Sequence, residues 1–197
     1  MKSRMPIDDE GERNHIMIRF WNITTEKKEY REQVIRLYEE AFPKEEKKPM
    51  EFMEQLEKEG KMEITAIADG DAFVGLAIFM VSGGTALVDY LAIAPEKRCG
   101  GYGRRAAQAM LQQYGDKKLI FEIEKEDDQA PNAVDRRRRK AFYLKNGLKE
   151  TGLFANVYHT DFELLTPDGE LTYEAYVAFL REILGEDMVK RLDPKPL

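Results

Sequence analysis

The stretch that decides the fold runs from Thr85 to Tyr114. It reads Ala86-Leu-Val-Asp-Tyr-Leu-Ala-Ile93, then Ala94-Pro-Glu-Lys97, then Arg98-Cys-Gly-Gly-Tyr-Gly103, then Arg104-Arg-Ala-Ala-Gln-Ala-Met-Leu111. This order predicts a β-strand, a glycine-rich loop and an α-helix. The first amides of a helix lack intrahelical acceptors, and the helix dipole adds partial positive charge there. We therefore expect this loop to bind a phosphate group.

The glycine spacing and its surroundings exclude two familiar kinds of phosphate-binding loop. Gly101, Gly103 and Ala106 fit the dinucleotide fingerprint G-x-G-x-x-A. That fingerprint directly follows a strand, whereas Ala94-Pro-Glu-Lys-Arg98 intervenes here. A Walker-type loop needs a Lys-Ser or Lys-Thr pair after the last glycine, and Arg104 stands there instead. Neither fingerprint describes this loop.

The segment instead resembles the signature of the GNAT superfamily of N-acyltransferases, R/Q-x-x-G-x-G/A, which Arg98, Gly101 and Gly103 match. Upstream, Leu91-Ala-Ile93 is similar to the family's splayed strand. Downstream, Arg139-Lys-Ala-Phe-Tyr-Leu-Lys-Asn-Gly147 resembles its second signature, a helix that carries a tyrosine and ends at a glycine. The two signatures occur in the family's order and at about its separation.

The resemblance implies that the donor is acetyl-CoA. The splayed strand would hydrogen-bond the pantetheine arm as though it were another strand, and the loop would hold the pyrophosphate. The implied cofactor-binding residues are Leu91, Ala92, Ile93, Arg98, Cys99, Gly100, Gly101, Tyr102, Gly103, Arg104 and Arg139. The family's asparagine after the fifth strand has no match, because Asp135-Arg-Arg-Arg-Arg139 stands there, and Asn132 is its substitute.

Acyl transfer from a thioester to an amine needs a base that takes the proton of the amine. Glu122 and Glu124 lie on one face of the predicted strand Leu119-Ile-Phe-Glu-Ile-Glu124, because side chains alternate along a strand. The resemblance aligns Glu122 with the position often proposed as the base, acting through water. Glu124, and a solvated or ion-paired role for the carboxylates, are the alternatives.

The reaction also needs a polarised carbonyl and an acid for the departing thiolate. The resemblance implies that the backbone amide of Ile93 polarises the carbonyl and that Tyr143 is the acid. The alternative for Tyr143 is core packing beside Phe142. The run from Arg136 to Lys140 is typical of a solvated helix face, within which Arg139 matches the motif.

The chain has too few cysteine and histidine residues for a zinc site or a Cys-His nucleophile. Cys99 is the single cysteine, and His15 and His159 are the two histidines. They offer neither a recognisable zinc set nor a Cys-His nucleophile, so we expect no metal and direct transfer. His159 is a candidate contact to the acceptor. One cysteine also excludes an internal disulfide and fits a reducing compartment.

The remaining patterns predict an α/β (α+β) fold. We expect a central mixed, mostly antiparallel sheet with a splayed strand pair, helices on both faces and a C-terminal helix. Asp69-Gly-Asp71 predicts a hairpin, and Lys118 to Glu124 a strand. Thr25 is the expected N-cap of a helix over residues 26–42, and the strand before it covers 16–20.

The chain divides into three parts. Residues 1–15 form a charged extension, residues 16–165 the N-acetyltransferase domain, and residues 166–197 a turn and a helix that pack on it. Thr172 and Gly185 are the expected ends of that helix. Its apolar stripe could cover the domain, contact a second copy in a homodimer, or form a lid over the acceptor site.

Composition limits the function classes. With 31 Lys and Arg against 37 Asp and Glu, the net charge of −6 disfavours nucleic-acid binding and favours a cationic substrate. No apolar run reaches the roughly 18 residues that a membrane span needs, and the start lacks the apolar core of a signal peptide. We therefore expect a cytoplasmic protein without membrane partners.

These observations predict an N-acetyltransferase that moves an acetyl group from acetyl-CoA directly to a primary amine of a small molecule or peptide. Two alternatives belong to other classes. A catalytically idle sensor would bind acyl-CoA without turnover. An interaction module would use the tail helix to bind a partner whether or not acyl-CoA is present.

Overall fold

A computed structural model describes residues 18–197. The predicted extension over 1–15, with His15, and the first two residues of the strand predicted over 16–20 lie outside the described residues. The strands are β1 (Ile18–Asn22), β2 (Met62–Asp69), β3 (Ala72–Ser82), β4 (Thr85–Ile93), β5 (Lys118–Glu124), β6 (Lys149–Val157), β7 (Thr160–Thr166) and β8 (Lys195–Pro196). The α-helices are α1 (Arg31–Ala41), α2 (Met50–Lys58), α3 (Tyr102–Gln113), α4 (Ala133–Lys145), α5 (Tyr173–Leu184) and α6 (Glu186–Leu192).

The described strands form one sheet of eight, in the order β1-β2-β3-β4-β5-β7-β6-β8. Neighbouring strands are antiparallel except for β4 and β5, which are parallel. The predicted hairpin turns at Gly70-Asp71, between β2 and β3. The predicted fold class, a mixed and mostly antiparallel sheet with one splayed pair, is confirmed.

Two apolar clusters cover the two faces of the sheet. Along β3, Leu76 and Ile78 belong to one cluster and Ala77 and Phe79 to the other, as the alternation of a strand requires. The first cluster packs against α1, α2 and α5, and the second against α3 and the tyrosine of α4. Helices therefore lie on both faces, as predicted.

The predicted start of the first helix is wrong. Thr25 caps no helix, because its amide and hydroxyl both donate to Asn22 Oδ1, at 2.9 Å each. Thr24 donates to the same oxygen, so Asn22 closes a turn instead. The chain then passes through a 3₁₀ turn, Lys28–Tyr30, and α1 begins at Arg31.

The C-terminal helix α5 has the predicted ends. The Thr172 hydroxyl accepts a hydrogen bond from the Ala175 amide at 3.2 Å, and Gly185 follows the helix with φ 81°. Its apolar stripe is buried within the chain, at Tyr176, Phe179, Leu180 and Ile183. The sequence did not predict α6 or β8, which pairs with β6. Within residues 18–197, no helix is both long and apolar enough to cross a membrane.

Candidate active site

The parallel strands β4 and β5 separate halfway along their length. They pair only from Thr85 to Val88 on β4, the last pair being Val88 with Phe121. Beyond it β5 pairs with β7, while β4 stays paired with β3 up to Ile93. We call the resulting opening between residues 89–93 and 122–124 the strand cleft. Asp89 and Glu122 are the first residues past the last pair, so they flank its apex.

A β-bulge marks the same point on β4. Ile78 pairs with Tyr90 and Phe79 with Val88, which leaves Asp89 without a partner on β3. Such a bulge bends its strand and increases the local twist. The bulge therefore helps to turn β4 away from β5 and open the strand cleft.

Beyond the bulge, the edge of β4 that faces the cleft is free of strand partners in the described part of the chain. The Ala94 amide donates to the Val74 carbonyl of β3 at 3.0 Å. Backbone groups alternate in direction along an antiparallel strand, so those of Leu91 and Ile93 point away from β3 and into the cleft. This free edge is what an extended ligand would need for β-augmentation.

Gly75 allows β3 to approach this part of β4 closely. A Cβ atom at Gly75 would lie 2.3 Å from the Ala92 carbonyl oxygen and 3.2 Å from Ile93 Cα. No side chain fits there without separating the strands. The position of the free edge therefore depends on a glycine on the neighbouring strand.

The glycine-rich loop joins β4 to α3. Cys99 and Gly101 have positive φ values, 64° and 73°, and Gly101 precedes the first residue of α3. Among the described residues, no acceptor meets the six consecutive amides from Cys99 to Arg104, and the first bonded amide is that of Arg105, which donates to the Gly101 carbonyl. Free amides at a helix N-terminus suit a phosphate group.

The charged side chains of this loop divide into two groups. Arg98 and Arg104 are exposed beside the free amides, and Arg98 Nε donates to the Ile93 carbonyl at 3.2 Å. Arg105 instead binds Asp69 Oδ2 at 2.9 Å and stacks over the Tyr102 ring. Two arginines and six amides therefore fit an anionic pyrophosphate.

Glu122 is a half-buried carboxyl at the apex of the cleft. Burial raises its pKa to about 7, an effect that the repulsion from Asp89 reinforces. The Tyr176 hydroxyl of α5 donates a hydrogen bond to Glu122 Oε1 at 2.5 Å, and this bond opposes the rise. A carboxyl with a pKa near neutral pH is suited to proton transfer.

Asp89 binds the ammonium group of Lys48 at the same apex. Lys48 Nζ lies 2.7 Å and 2.9 Å from the two carboxylate oxygens, and the Asp89 side chain is only 7% exposed. The ammonium also lies 5.0 Å from the centre of the Tyr90 ring, within reach of a cation–π contact. The Tyr38 hydroxyl holds the Lys48 backbone in place by accepting from its amide and donating to its carbonyl.

Glu124 is occupied by other partners at the end of β5. Arg136 and Arg139 of α4 each lie 2.8 Å from one of its oxygens. Asn132 Nδ2 donates to the same carboxylate at 3.2 Å, and its Oδ1 accepts from Arg136. Ion pairs with two arginines occupy both oxygens of Glu124, which makes Glu122 the better candidate base of the two. The amide of Asn132 and one nitrogen of Arg139 have partners within the chain.

Tyr143 of α4 packs against Phe121, with ring centres 5.0 Å apart. Phe121 precedes Glu122, so Tyr143 lies on the opposite face of the sheet from that carboxyl. Burial raises the pKa of Tyr143 to about 12, although nearby Arg139 lowers it. Its neighbour Phe142 lies 3.5 Å from where a Cβ of Gly103 would be, so this part of α4 contacts the start of α3.

The apex of the cleft contains residues that sequence reasoning missed. Asp89 carried a signal, since it interrupts an apolar strand. Lys48 and Tyr176 carried none, because only the folded chain brings them to the cleft. His159, the predicted acceptor contact, lies exposed in the turn between β6 and β7, and its described ring contact is with Tyr158.

A splayed sheet with a free strand edge and a glycine-rich loop before a helix is the arrangement that the resemblance to N-acyltransferases predicts. A family model described as the acetyltransferase (GNAT) family matches residues 31–147, more than half of the chain. The chain therefore belongs to the GNAT acetyltransferase family, and the resemblance seen in the sequence is confirmed. No match is found among curated protein sequences.

Solved structures share this fold. A protein of the GNAT family from Bacteroides thetaiotaomicron is 23% identical, with a TM-score of 0.71, and covers 85% of this chain and 99% of its own. An aminoglycoside 6′-N-acetyltransferase solved with coenzyme A is 17% identical, with a TM-score of 0.57 and coverage of 76% and 95%. The ribosomal-protein-S18-alanine N-acetyltransferase of Escherichia coli is 17% identical, with a TM-score of 0.55 and coverage of 80% and 97%.

Proposed function

We propose that this acetyltransferase moves an acetyl group from acetyl-CoA to a primary amine, within the strand cleft. The observation that carries the proposal is Glu122, a carboxyl with a pKa of about 7 at the apex of the cleft. A base with that pKa is half ionised at pH 7, close to the optimum for general base catalysis.

The donor would lie between the free edge of β4 and the glycine-rich loop. The backbone groups of Leu91 would pair with the pantetheine arm, and the six free amides from Cys99 to Arg104 would hold the pyrophosphate. Arg98 and Arg104 would add cationic donors. When bound, the donor supplies the acetyl thioester and a thiolate leaving group.

Glu122 would accept a proton from the incoming ammonium group. An alkyl amine with a pKa of about 10.4 costs about 4.6 kcal/mol to deprotonate at pH 7, so a nearby base lowers a large part of the barrier. The Ile93 amide, directed into the cleft, would donate to the reacting carbonyl oxygen, which is worth about 3 kcal/mol. Both groups are positioned by the same separation of strands.

Tyr143 would donate the proton that the departing thiolate needs. Its pKa of about 12 keeps the hydroxyl protonated at neutral pH, and no acceptor holds that hydroxyl among the described residues. It lies across the sheet from Glu122, so the base and the acid approach the cleft from opposite faces. This division keeps the two proton transfers apart.

The acceptor would be a cationic amine of a small molecule or peptide. Asp89 and Glu122 give the apex two acidic groups against one lysine, a balance that favours a cationic acceptor. Among proteins of this fold, the named acceptors include an aminoglycoside and the alanine of a ribosomal protein. A single cysteine fits action in the cytoplasm.

The test is thiol release from acetyl-CoA against a panel of amines and peptides, with mass spectrometry of the products. We expect release that depends on an amine, an acetylated amine as product, and a fall of about 10²–10⁴ in turnover for Glu122→Gln. Binding of acetyl-CoA without release across a broad panel would favour the idle sensor instead. Release with no acetylated amine would contradict the proposal.

A further inference from the structure

The C-terminal helix α5 lies beyond residues 31–147, which the family model matches. One of its side chains nevertheless reaches the apex of the strand cleft. Tyr176 is fully buried, and its hydroxyl donates to Glu122 Oε1. The tail of the chain therefore contacts a carboxyl on the central strand.

We infer that Tyr176 is a positioning residue that holds the Glu122 carboxyl in place and keeps it ionised enough to act as a base. This inference rests on the proposed role of Glu122 in the transfer reaction. Helix α5 then has two roles: its apolar stripe packs into the core, and its Tyr176 hydroxyl orients Glu122.

The position of Tyr176 is fixed from both sides. The Thr172 hydroxyl caps the helix one turn before it, and Phe179, Leu180 and Ile183 pack the same stripe into the apolar cluster. A rigid hydroxyl loses little freedom when it forms the hydrogen bond. The orientation of the Glu122 carboxyl is also fixed, because rotating it would leave the buried Tyr176 hydroxyl without an acceptor.

The charges around Glu122 explain why a hydroxyl is needed. Asp89 from β4 faces it and favours its neutral form, while Lys48 from the segment before α2 favours the ionised form. Lys48 forms an ion pair with Asp89, so its positive charge is largely compensated and stabilises the ionised Glu122 less. From β7, the residue opposite Glu122 is the apolar Leu164. Tyr176 supplies the only direct hydrogen bond to the Glu122 carboxyl described between residues 18 and 197.

The first variant is Tyr176→Phe, which keeps the ring and removes the hydroxyl. Loss of a hydrogen bond to an ionised carboxylate raises its pKa by about one unit. With an apparent pKa of about 8 instead of 7, Glu122 would be about a tenth ionised at pH 7, so kcat should fall about fivefold there and recover near pH 9. KM for acetyl-CoA should not change.

Tyr173→Phe is the matched control. Tyr173 lies on the same helix, one turn before Tyr176, and its hydroxyl donates to the Pro194 carbonyl at 2.6 Å. This variant also removes a tyrosine hydroxyl from α5, but one that does not touch the cleft. The pH profile of its kcat should match the wild type.

The decisive measurement is a carbon-13 NMR titration of glutamate carboxyl groups in the full chain, with Glu122→Gln used to assign the Glu122 signal. We expect the Glu122 carboxyl to titrate with a midpoint near 7. The midpoint should rise by about one pH unit in Tyr176→Phe and remain unchanged in Tyr173→Phe. In the wild type, the Cζ signal of Tyr176 should titrate with the same midpoint.

The two proposals fail in different ways. An unchanged Glu122 midpoint in Tyr176→Phe, or a Tyr176 signal that does not follow Glu122, would overturn the positioning role. If Glu122→Gln instead keeps full turnover and the same fall of kcat at low pH as the wild type, Glu122 is not the base, whatever the NMR midpoints are.

Discussion

Gly75→Ala perturbs the free edge of β4 from the neighbouring strand, without replacing any residue that would meet the donor. The new Cβ would lie 2.3 Å from the Ala92 carbonyl oxygen, so β3 and β4 must separate by more than half an ångström before the contact reaches even 3.0 Å. The obstacle is backbone on a paired strand, which cannot rotate away. Overpacking of this kind costs about 1–3 kcal/mol, and we expect the upper end.

That cost converts to a fall in melting temperature of about 6–12 °C, since 1 kcal/mol corresponds to about 2–4 °C in a chain of this length. The strain falls on Ala92 and Ile93, so affinity for coenzyme A should also fall, by about tenfold for each 1.4 kcal/mol lost in binding. Scanning calorimetry and titration calorimetry measure the two effects separately.

Gly84→Ala is the matched control, in the turn that joins the same two strands. It has no positive φ, and no heavy atom lies within 4 Å of its Cβ position. Its melting temperature should stay equal or rise slightly, because alanine restricts the unfolded chain. If Gly75→Ala melted and bound coenzyme A like Gly84→Ala, the close approach of β3 would not support the edge of β4, and the reasoning would be refuted.

Three further predictions concern acid catalysis, pH and a buried ion pair. Tyr143→Phe should lower turnover about 10²–10⁴-fold with little change in coenzyme A affinity, and turnover within twofold of wild type would remove it as the acid. Because the Glu122 pKa is raised to about 7 on folding, the folded state holds more protons, so stability should fall by up to about 3 kcal/mol as pH rises from about 4.5 to 7. Melting curves of Glu122→Gln should lack that loss and lie above wild type at pH 8. Lys140 binds the 2% exposed Glu163 at 2.9 Å, so Lys140→Ala should cost about 3 kcal/mol in urea unfolding, and adding Glu163→Gln should recover part of it.

The sequence predicted the elements whose signals are local. Gly101 and Gly103 between an apolar strand and a periodic helix predicted the glycine-rich loop before α3, and Asp69-Gly-Asp71 predicted the first hairpin. Thr172 was a correct N-cap. The equally suitable Thr25 was not, because the side chain of Asn22 formed a turn with it first. A threonine at a suitable position cannot show whether its side chain will cap a helix or bond to another nearby side chain.

The chemistry of the cleft depended on contacts between distant parts of the chain. Strand alternation puts Glu122 and Glu124 on one face, and only the resemblance favoured Glu122 in the sequence. In the structure the arginines of α4 distinguish the two by pairing with Glu124. Tyr176 lies 54 residues from Glu122 and looked like one more apolar position of an amphipathic helix. The identity of the strand was local information, whereas the raised pKa of Glu122 and the ion pairs of Glu124 depend on tertiary packing.

The measurement that tests the central claim most directly is a melting scan with coenzyme A, acetyl-CoA and NAD side by side. A ligand at 100 times its dissociation constant adds about 2.7 kcal/mol, which in a chain of this length raises the melting temperature by about 5–10 °C. We expect that rise with both forms of coenzyme A and none with NAD. No rise with either form at millimolar concentration, or an equal rise with NAD, would contradict the assignment of the loop and the strand cleft to an acetyl-CoA donor.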